Sequence, residues 1–434
     1  VTTNTINPKN TALSWRLEMN LTKNKSYVFF WLASTISYFG TYITTLALQV
    51  LVVVNLEGST VDVGWINSSR WLPYVLLGLV AGVIIDRVSR RNILVLTDLG
   101  RGILLVAICL LALFDGISVG ILMIIMILFG AMSLFNDAAS QSIVPQLVPR
   151  RLLLPAYARL EQSAAVAETS GPAAAGLLVS IVTAPFAILV NAASYLFSGL
   201  VMAFIKHQPI PEKASNERIV ELIKEGLRWV YRHPFLSTLA LNTHVWFLFN
   251  SMLGTVLVTY ALTELGFHAS TLGLVMTSAG IGAVIGTTLS TRVSKRFGIG
   301  RSITFARLLY APAVLFMVLA PPTDNGDLSI QTFLMIGFGQ LFYGLALGIE
   351  GPIEMGYRQT ITPAHLHGRM NATMRSINRS MIVIGAPLGG FIADLFGFRT
   401  ALGVVITGLA VVGVWFVFSP MRAARMDDTT DVSN

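Results

Sequence analysis

Glu168, Glu350, Asp137 and Arg70 lie inside stretches that are otherwise apolar for the length needed to cross a bilayer, and Glu354 lies near the end of one such stretch. A charge in that setting is costly, so each is a candidate for function. A carboxylate whose surroundings alternate between dry and wet can bind and release a proton, and that is the chemistry these side chains offer. Glu168 stands deepest, about ten residues into its run, and ranks first; Glu350 and Asp137 follow, each with a structural hydrogen-bonding role as its competing reading. Other chemistries lack their residues. There is no Gly-x-x-x-x-Gly-Lys-Ser/Thr phosphate loop and no nucleophile paired with a base. His207, His233, His268, His365 and His367 fall in or beside loops and His244 is alone in a span, so neither a metal centre, a cofactor nor an enzyme is expected.

The elements that hold these residues follow from composition. The chain has 434 residues, 54% hydrophobic and 12% charged, too few charges for a soluble globule. Every backbone group in lipid must be satisfied within its own segment, so the apolar runs read as helices. Twelve are expected, at 27–56, 63–85, 93–114, 117–140, 157–182, 185–205, 237–262, 270–291, 301–320, 330–356, 371–395 and 399–419. The fold class is therefore an all-α polytopic membrane protein. The net charge of +8 is one of topology: 26 of the 30 Lys and Arg fall in the termini, in the loops after even-numbered spans or in the first turns beyond them. That asymmetry predicts two cytoplasmic termini and argues against a nucleic-acid partner. Cys109, the single cysteine, sits inside the third span and forms no intrachain disulfide. No cleavable leader is expected before the first span, because residues 1–26 are polar.

Patterns within the spans suggest faces. Ser34, Tyr38, Thr41, Thr45 and Gln49 recur at helical spacing in span 1, a stripe that either lines a cavity or serves interhelical hydrogen bonds. Asn242, Trp246 and Asn250, with Phe249 beside them, form a similar face in span 7, to be read as a solute wall or as plain packing. Gly78/Gly82, Gly282/Gly286 and Gly385/Gly389 are close-approach pairs in spans 2, 8 and 11, and Gly171/Ala175 is a weaker one in span 5. Asp98 and Arg101 read as a local ion pair that snorkels to the surface. Glu350-Gly-Pro-Ile-Glu354 places two carboxylates around an expected helix break. Between the halves, residues 219–230 alternate apolar and charged at helical spacing, as an amphipathic tether lying on the membrane surface would.

The second half repeats the first. Thr291-Arg-Val-Ser-Lys-Arg296 echoes Asp86-Arg-Val-Ser-Arg-Arg91, and the Pro149/Pro172 spacing is matched by Pro363/Pro387. Two related six-helix bundles follow, at 27–205 and 237–419, joined by a linker at 206–236 and flanked by segments 1–26 and 420–434.

The turn Gly82-x-x-x-Asp86-Arg87-x-x-Arg90-Arg91 between spans 2 and 3 resembles the signature loop of the major facilitator superfamily of transporters. Gly171-Pro172 with Gly176 resembles the antiporter motif of its drug exporters, with Ala175 where a second glycine is expected. Ser37-Tyr-Phe-Gly40, Leu72-Pro73, Asp98-x-x-Arg101 and Gly368-Arg369 resemble the third drug:proton antiporter family, the macrolide-efflux and enterobactin-exporter branch. Span 4 lacks the arginine of other drug-exporter branches. The resemblance implies a monomer in the bacterial cytoplasmic membrane that moves a small amphipathic organic substrate outward in exchange for protons. It also implies contact between the bundles along spans 2, 5, 8 and 11, and a cytoplasmic latch from Gly82, Asp86, Arg87, Arg90 and Arg91 to the start of span 11. Residue reading puts Tyr38, Thr41, Thr45, Arg70, Asn242, Trp246, Phe249 and Asn250 at the substrate cavity. A lipid flippase and a non-transporting receptor or scaffold are the alternatives.

Overall fold

A computed structural model describes residues 21, 23–86, 88–204, 219–321 and 328–424, with only the backbone at 79–86, 150, 154, 219, 364 and 423. Helices α1 (Lys25–Val50), α2 (Thr60–Asp86), α3 (Arg90–Leu113) and α4 (Val119–Leu147) come first. The stretch Leu153–Phe204 is broken at Thr183, whose φ of 68° turns the chain, and its limbs are α5 (153–182) and α6 (184–204). Pro185 falls in the first turn of α6, where its missing N–H costs nothing. Next come α7 (Ile219–Arg232), α8 (Pro234–Thr263), α9 (Ala269–Phe297), α10 (Ile299–Val318), α11 (Ile330–Ile361), α12 (His367–Phe396) and α13 (Phe398–Phe418). All but α7 are long enough to span a bilayer, so the described residues hold the twelve long helices expected.

Local chemistry sets the helix ends. Asn24, Ser118 and Ser329 accept from backbone N–H groups at the starts of α1, α4 and α11. Gly298 and Gly397, both at φ 85°, make the sharp joints α9–α10 and α12–α13. The helix break expected around Pro352 is absent, since α11 runs through it unbroken. Both flanking carboxylates therefore share one rigid helix.

Helices α1–α6 form one bundle and α8–α13 the other, and the close-approach glycines of α5, α9 and α12 act inside them. A Cβ on Gly171 would strike Tyr42 of α1; on Gly282 or Gly286, the backbone of α11; on Gly385 or Gly389, α8. The expectation that these pairs seal the two bundles together is thus corrected for spans 5, 8 and 11, whereas Gly78 of α2 does face the seam, where a Cβ would meet Ser376 of α12. Helices α2, α5, α9 and α12 do form the seam, as implied, the last three through other faces. Gly64 abuts Ala386 and Pro387, Gly390 abuts Thr60 and Val61, Gly176 abuts Ala269 and Gly273, and Gly280 abuts Thr169. A glycine pair marks a close contact but not its partner, because each of these helices has neighbours on several sides.

The seam is tightest at the end where α2 begins. There the Asp394 carboxylate of α12 accepts from the N–H groups of Thr60 (3.1 Å) and Val61 (2.9 Å), capping a helix of the other bundle. Further along, Ser68 donates to the Val383 carbonyl at 2.8 Å. Toward the other end the bundles part around a cavity of about 260 Å³ walled by α2, α4 and α12. Of the expected latch at that end, Arg87 and the Asp86 side chain lie outside the described residues, and Gly82 is described by its backbone path alone. Arg91 turns instead to the carbonyls of Met202 (3.1 Å) and Ala203 in its own bundle, and Arg90 is buried. Arg369 pairs with Glu225 of α7. That helix does not simply lie on the membrane surface. Gly226 seats against Thr373 and Arg369, Val230 is buried, and Trp229 donates to Thr362 at 3.2 Å.

An exposed carboxylate at a helix N-terminus contributes about 1 kcal/mol at most, or roughly fivefold in a two-state population. Asp394→Asn is expected to lengthen the distance between spin labels at Glu57 and Thr400 in a measurable minority of molecules; an unchanged distribution would show that the cap holds nothing closed. Gly176→Leu is expected to separate the same labels, whereas Gly389→Leu is expected to lower the melting temperature through strain inside its own bundle.

Candidate functional site

Among the described residues the buried charges gather on the third helix of the first bundle and on the third and fourth helices of the second. In the second bundle Arg307 of α10, 1% exposed, forms ion pairs with Glu350 and, at 3.3 Å, with Glu354, both of α11. These contacts all use Nη2, which also donates to Thr243 of α8 at 2.9 Å. Tyr310 donates to Glu350 at 2.9 Å, Arg358 approaches Glu354 at 3.6 Å, and the Trp246 ring lies 5.7 Å from the guanidinium. The two carboxylates stand about one helical turn apart, which is why one cation can reach both. A cavity of about 270 Å³ opens beside this cluster, with Trp246, Phe247, Tyr310 and Leu347 as its apolar wall.

In the first bundle Arg101 of α3 pairs with Asp98 of the same helix and lies 4.2 Å from the Tyr195 ring. Asn136 (2.9 Å) and Ser198 (2.7 Å) donate to the Asp98 carboxylate. The pair is local, as expected, but it is buried rather than snorkelling, because α4 and α6 supply the donors that water would otherwise provide. Here too a cavity opens, of about 290 Å³, with Ser34, Tyr38 and Thr41 of the α1 stripe on its wall beside Asp137 and Glu161. Asp137 accepts from Tyr74 at 2.6 Å. Thr45 and Gln49, further along the stripe, border a smaller pocket with Arg70, whose Nη1 donates to Thr45 at 3.0 Å.

Glu168 stands apart from both clusters. On α5, Gly171 abuts α1 while Thr169 and Pro172 abut α9. At about 100° per residue, Glu168 falls between these two contact lines and so faces the crevice between α1 and α9. Its side chain is exposed, and no hydrogen bond or ion pair to it is found among the described residues. Across the seam, the Arg379 guanidinium of α12 lies 3.8 Å from the Trp71 ring centroid of α2.

Two of the expected cavity residues face elsewhere. Asn242 is fully buried and donates to the Val412 carbonyl of α13 at 2.9 Å, and the Phe249 ring fills the space above Gly408 of the same helix. Trp246 lines the second cavity, whereas Asn250 is not on its wall and accepts from Tyr343 at 2.6 Å. Sequence reasoning missed Arg307, Tyr310, Tyr343 and Glu161. For Arg307 the signal was present, since an arginine within an apolar run has the same claim as the carboxylates. The two tyrosines had none, because aromatics are common in such helices.

Comparison with known proteins accords with this architecture. The family model for transmembrane secretion effectors matches residues 20–434. The multidrug efflux pump Tap of Mycolicibacterium fortuitum is 26% identical over 401 residues, covering 89% of this chain and 94% of that protein. The staphyloferrin A transporter of Staphylococcus aureus (strain NCTC 8325 / PS 47) is 24% identical over 397 residues, covering 90% and 94%. The nucleoside transporter NupG superposes with a TM-score of 0.71 at 12% identity over 91% of this chain and 98% of that one. A bacterial homologue of the iron transporter ferroportin in an inward-facing state gives 0.70 at 15% identity over 91% and 98%. The two solved structures bear on the fold alone, whereas the family model covers nearly the whole sequence. The chain belongs to the transmembrane secretion effectors, and is a membrane transporter of the major facilitator superfamily rather than an enzyme.

Proposed function

We propose that the protein is a secondary exporter that carries an amphipathic organic solute out of a bacterial cytoplasm by alternating access, driven by protons entering through Glu168. The basic end of the bundles is taken as cytoplasmic. On that assignment the Asp394 seam closes the outer side and the crevice opens inward, the state that would load solute from the cytoplasm. The names of Tap and of the staphyloferrin A transporter support an organic cargo and, for Tap, outward movement.

The observation that carries the reading is the Glu168 carboxylate in the crevice between the bundles, with no hydrogen bond or ion pair among the described residues. When the bundles rock, this side chain changes from a wet to a dry setting, which links its protonation to the conformation. Gly171-Pro172, one turn further on, lies at the contacts with α1 and α9, where that motion must be accommodated. Each proton crossing 100 mV supplies about 2.3 kcal/mol, enough to sustain a roughly 50-fold gradient of a neutral solute. Glu350 and Asp137 are the second and third candidates, both already engaged by hydrogen bonds.

The test is uptake of a solute panel into inside-out proteoliposomes with an imposed proton gradient. Glu168→Gln is expected to abolish accumulation against a gradient while leaving solute binding and downhill exchange intact. If the glutamine variant still concentrates solute, Glu168 is structural, and the same substitution moves to Glu350 and then Asp137.

A further inference from the structure

The cluster in the second bundle is satisfied on one side only. Three acceptors, from Glu350, Glu354 and Thr243, crowd Nη2 of Arg307, while its Nε and Nη1 have no hydrogen-bond partner. The indole Nε1 of Trp246, a residue 7% exposed, is also without one, and Nε of Arg358 has only the Glu354 carboxylate at 3.6 Å. Arg307, Trp246 and Arg358 all line the 270 Å³ cavity, and every unserved atom they contribute is a donor. Buried donors without acceptors are rare in native proteins and mark a missing partner. That partner must bring oxygen acceptors, and the adjoining Phe247, Tyr310 and Leu347 call for an apolar body behind them.

We propose that this cavity binds the carboxylate of an amphipathic organic acid on Arg307, and that Glu350 takes up one proton as it does so. Charge balance requires the proton. Arg307 and Arg358 are offset by Glu350 and Glu354, so an added carboxylate leaves one uncompensated negative charge in a bilayer-depth site. Glu350 is the group to neutralise, since it holds the same guanidinium the solute must share. The charged and titratable groups facing it are Arg307 and Tyr310 from α10 and Tyr343, Glu354 and Arg358 of its own helix; α8 supplies the neutral Thr243 and Trp246, with His244 beyond them. In the bound state neutral Glu350 donates its O–H to the solute carboxylate, and the carboxylate forks onto Arg307 in the bidentate manner that a planar guanidinium favours. Solute and proton enter together, so this site adds no net charge and is separate from Glu168. The inference rests on the transporter reading only in treating the cavity as a solute site.

The experiment is titration calorimetry of the full-length protein in detergent with 1-naphthylacetate, its amide, and 1-naphthylmethylamine, run at pH 7 in two buffers of different ionisation enthalpy. Because no gradient is present, the result is independent of the Glu168→Gln export test. The acid is expected to bind at least tenfold more tightly than the amide or the amine, with one proton absorbed per molecule and affinity falling as pH rises. Glu350→Gln, which preserves the shape of the cluster, is expected to bind the acid without proton uptake and with a flat pH profile. Trp246→Phe is expected to weaken the acid a few-fold and leave the amine unchanged. Equal affinity for acid and amide, tighter binding of the amine, or proton uptake retained in Glu350→Gln would each overturn the proposal.

Discussion

A guanidinium held within the bilayer must find its counter-charge and hydrogen-bond acceptors in the protein, and that requirement organises both halves of this molecule. Arg101 and Arg307 stand on the third helix of their respective bundles, 6% and 1% exposed. Each draws the neighbouring helices inward. Around Arg101 the acid comes from its own helix, and α4 contributes the amide of Asn136; around Arg307 the acids come from α11, and α8 contributes Thr243. Each guanidinium also lies near an aromatic ring, Tyr195 in one bundle and Trp246 in the other. The repeat is thus preserved as a physical solution even where the residues that compose it have changed.

The contrast between the two solutions has consequences for function. Asp98 receives donors from Asn136 and Ser198 as well as its arginine, and Arg101 leaves only Nε without a partner, so the first cluster is the more nearly closed and reads as structure. Arg307 shares two carboxylates yet leaves two nitrogens unserved, so the second cluster is open to another acceptor. Beside the closed cluster the cavity wall is hydroxyl-rich and carries Asp137 and Glu161; beside the open one it is aromatic. Asymmetry of this kind lets two related bundles divide the handling of a solute.

Rocking between the bundles demands a seam that is close but separable. Glycine against backbone, as at Gly64, Gly176, Gly280 and Gly390, gives close approach without interlocking side chains. The polar bonds across that seam are few, and the Asp394 cap is exposed, so its contribution is modest. Inside each bundle the contacts differ in kind. Buried tyrosines such as Tyr195, Tyr310 and Tyr343 and the ion-pair clusters tie helices together through side chains, which makes each bundle a rigid unit.

The sequence alone determined the class of fold, the twelve spans, the twofold repeat and the amphipathic linker helix. Each is written in hydropathy and periodicity, which act along the chain and need no knowledge of neighbours. It also supplied the ionisable residues that had to matter, because the cost of a charge in hydrocarbon is a property of the residue and its depth. Only the tertiary structure decided how they combine. It joined Arg307 to Glu350 and Glu354 and left Glu168 with no hydrogen bond or ion pair among the described residues; it turned Asn242 and Phe249 toward α13 and sent the glycine pairs of α5, α9 and α12 inward instead of to the seam. A membrane helix is apolar on nearly every side, so its sequence carries little record of which face meets lipid, a neighbour or a cavity. That choice is made by packing against the other helices.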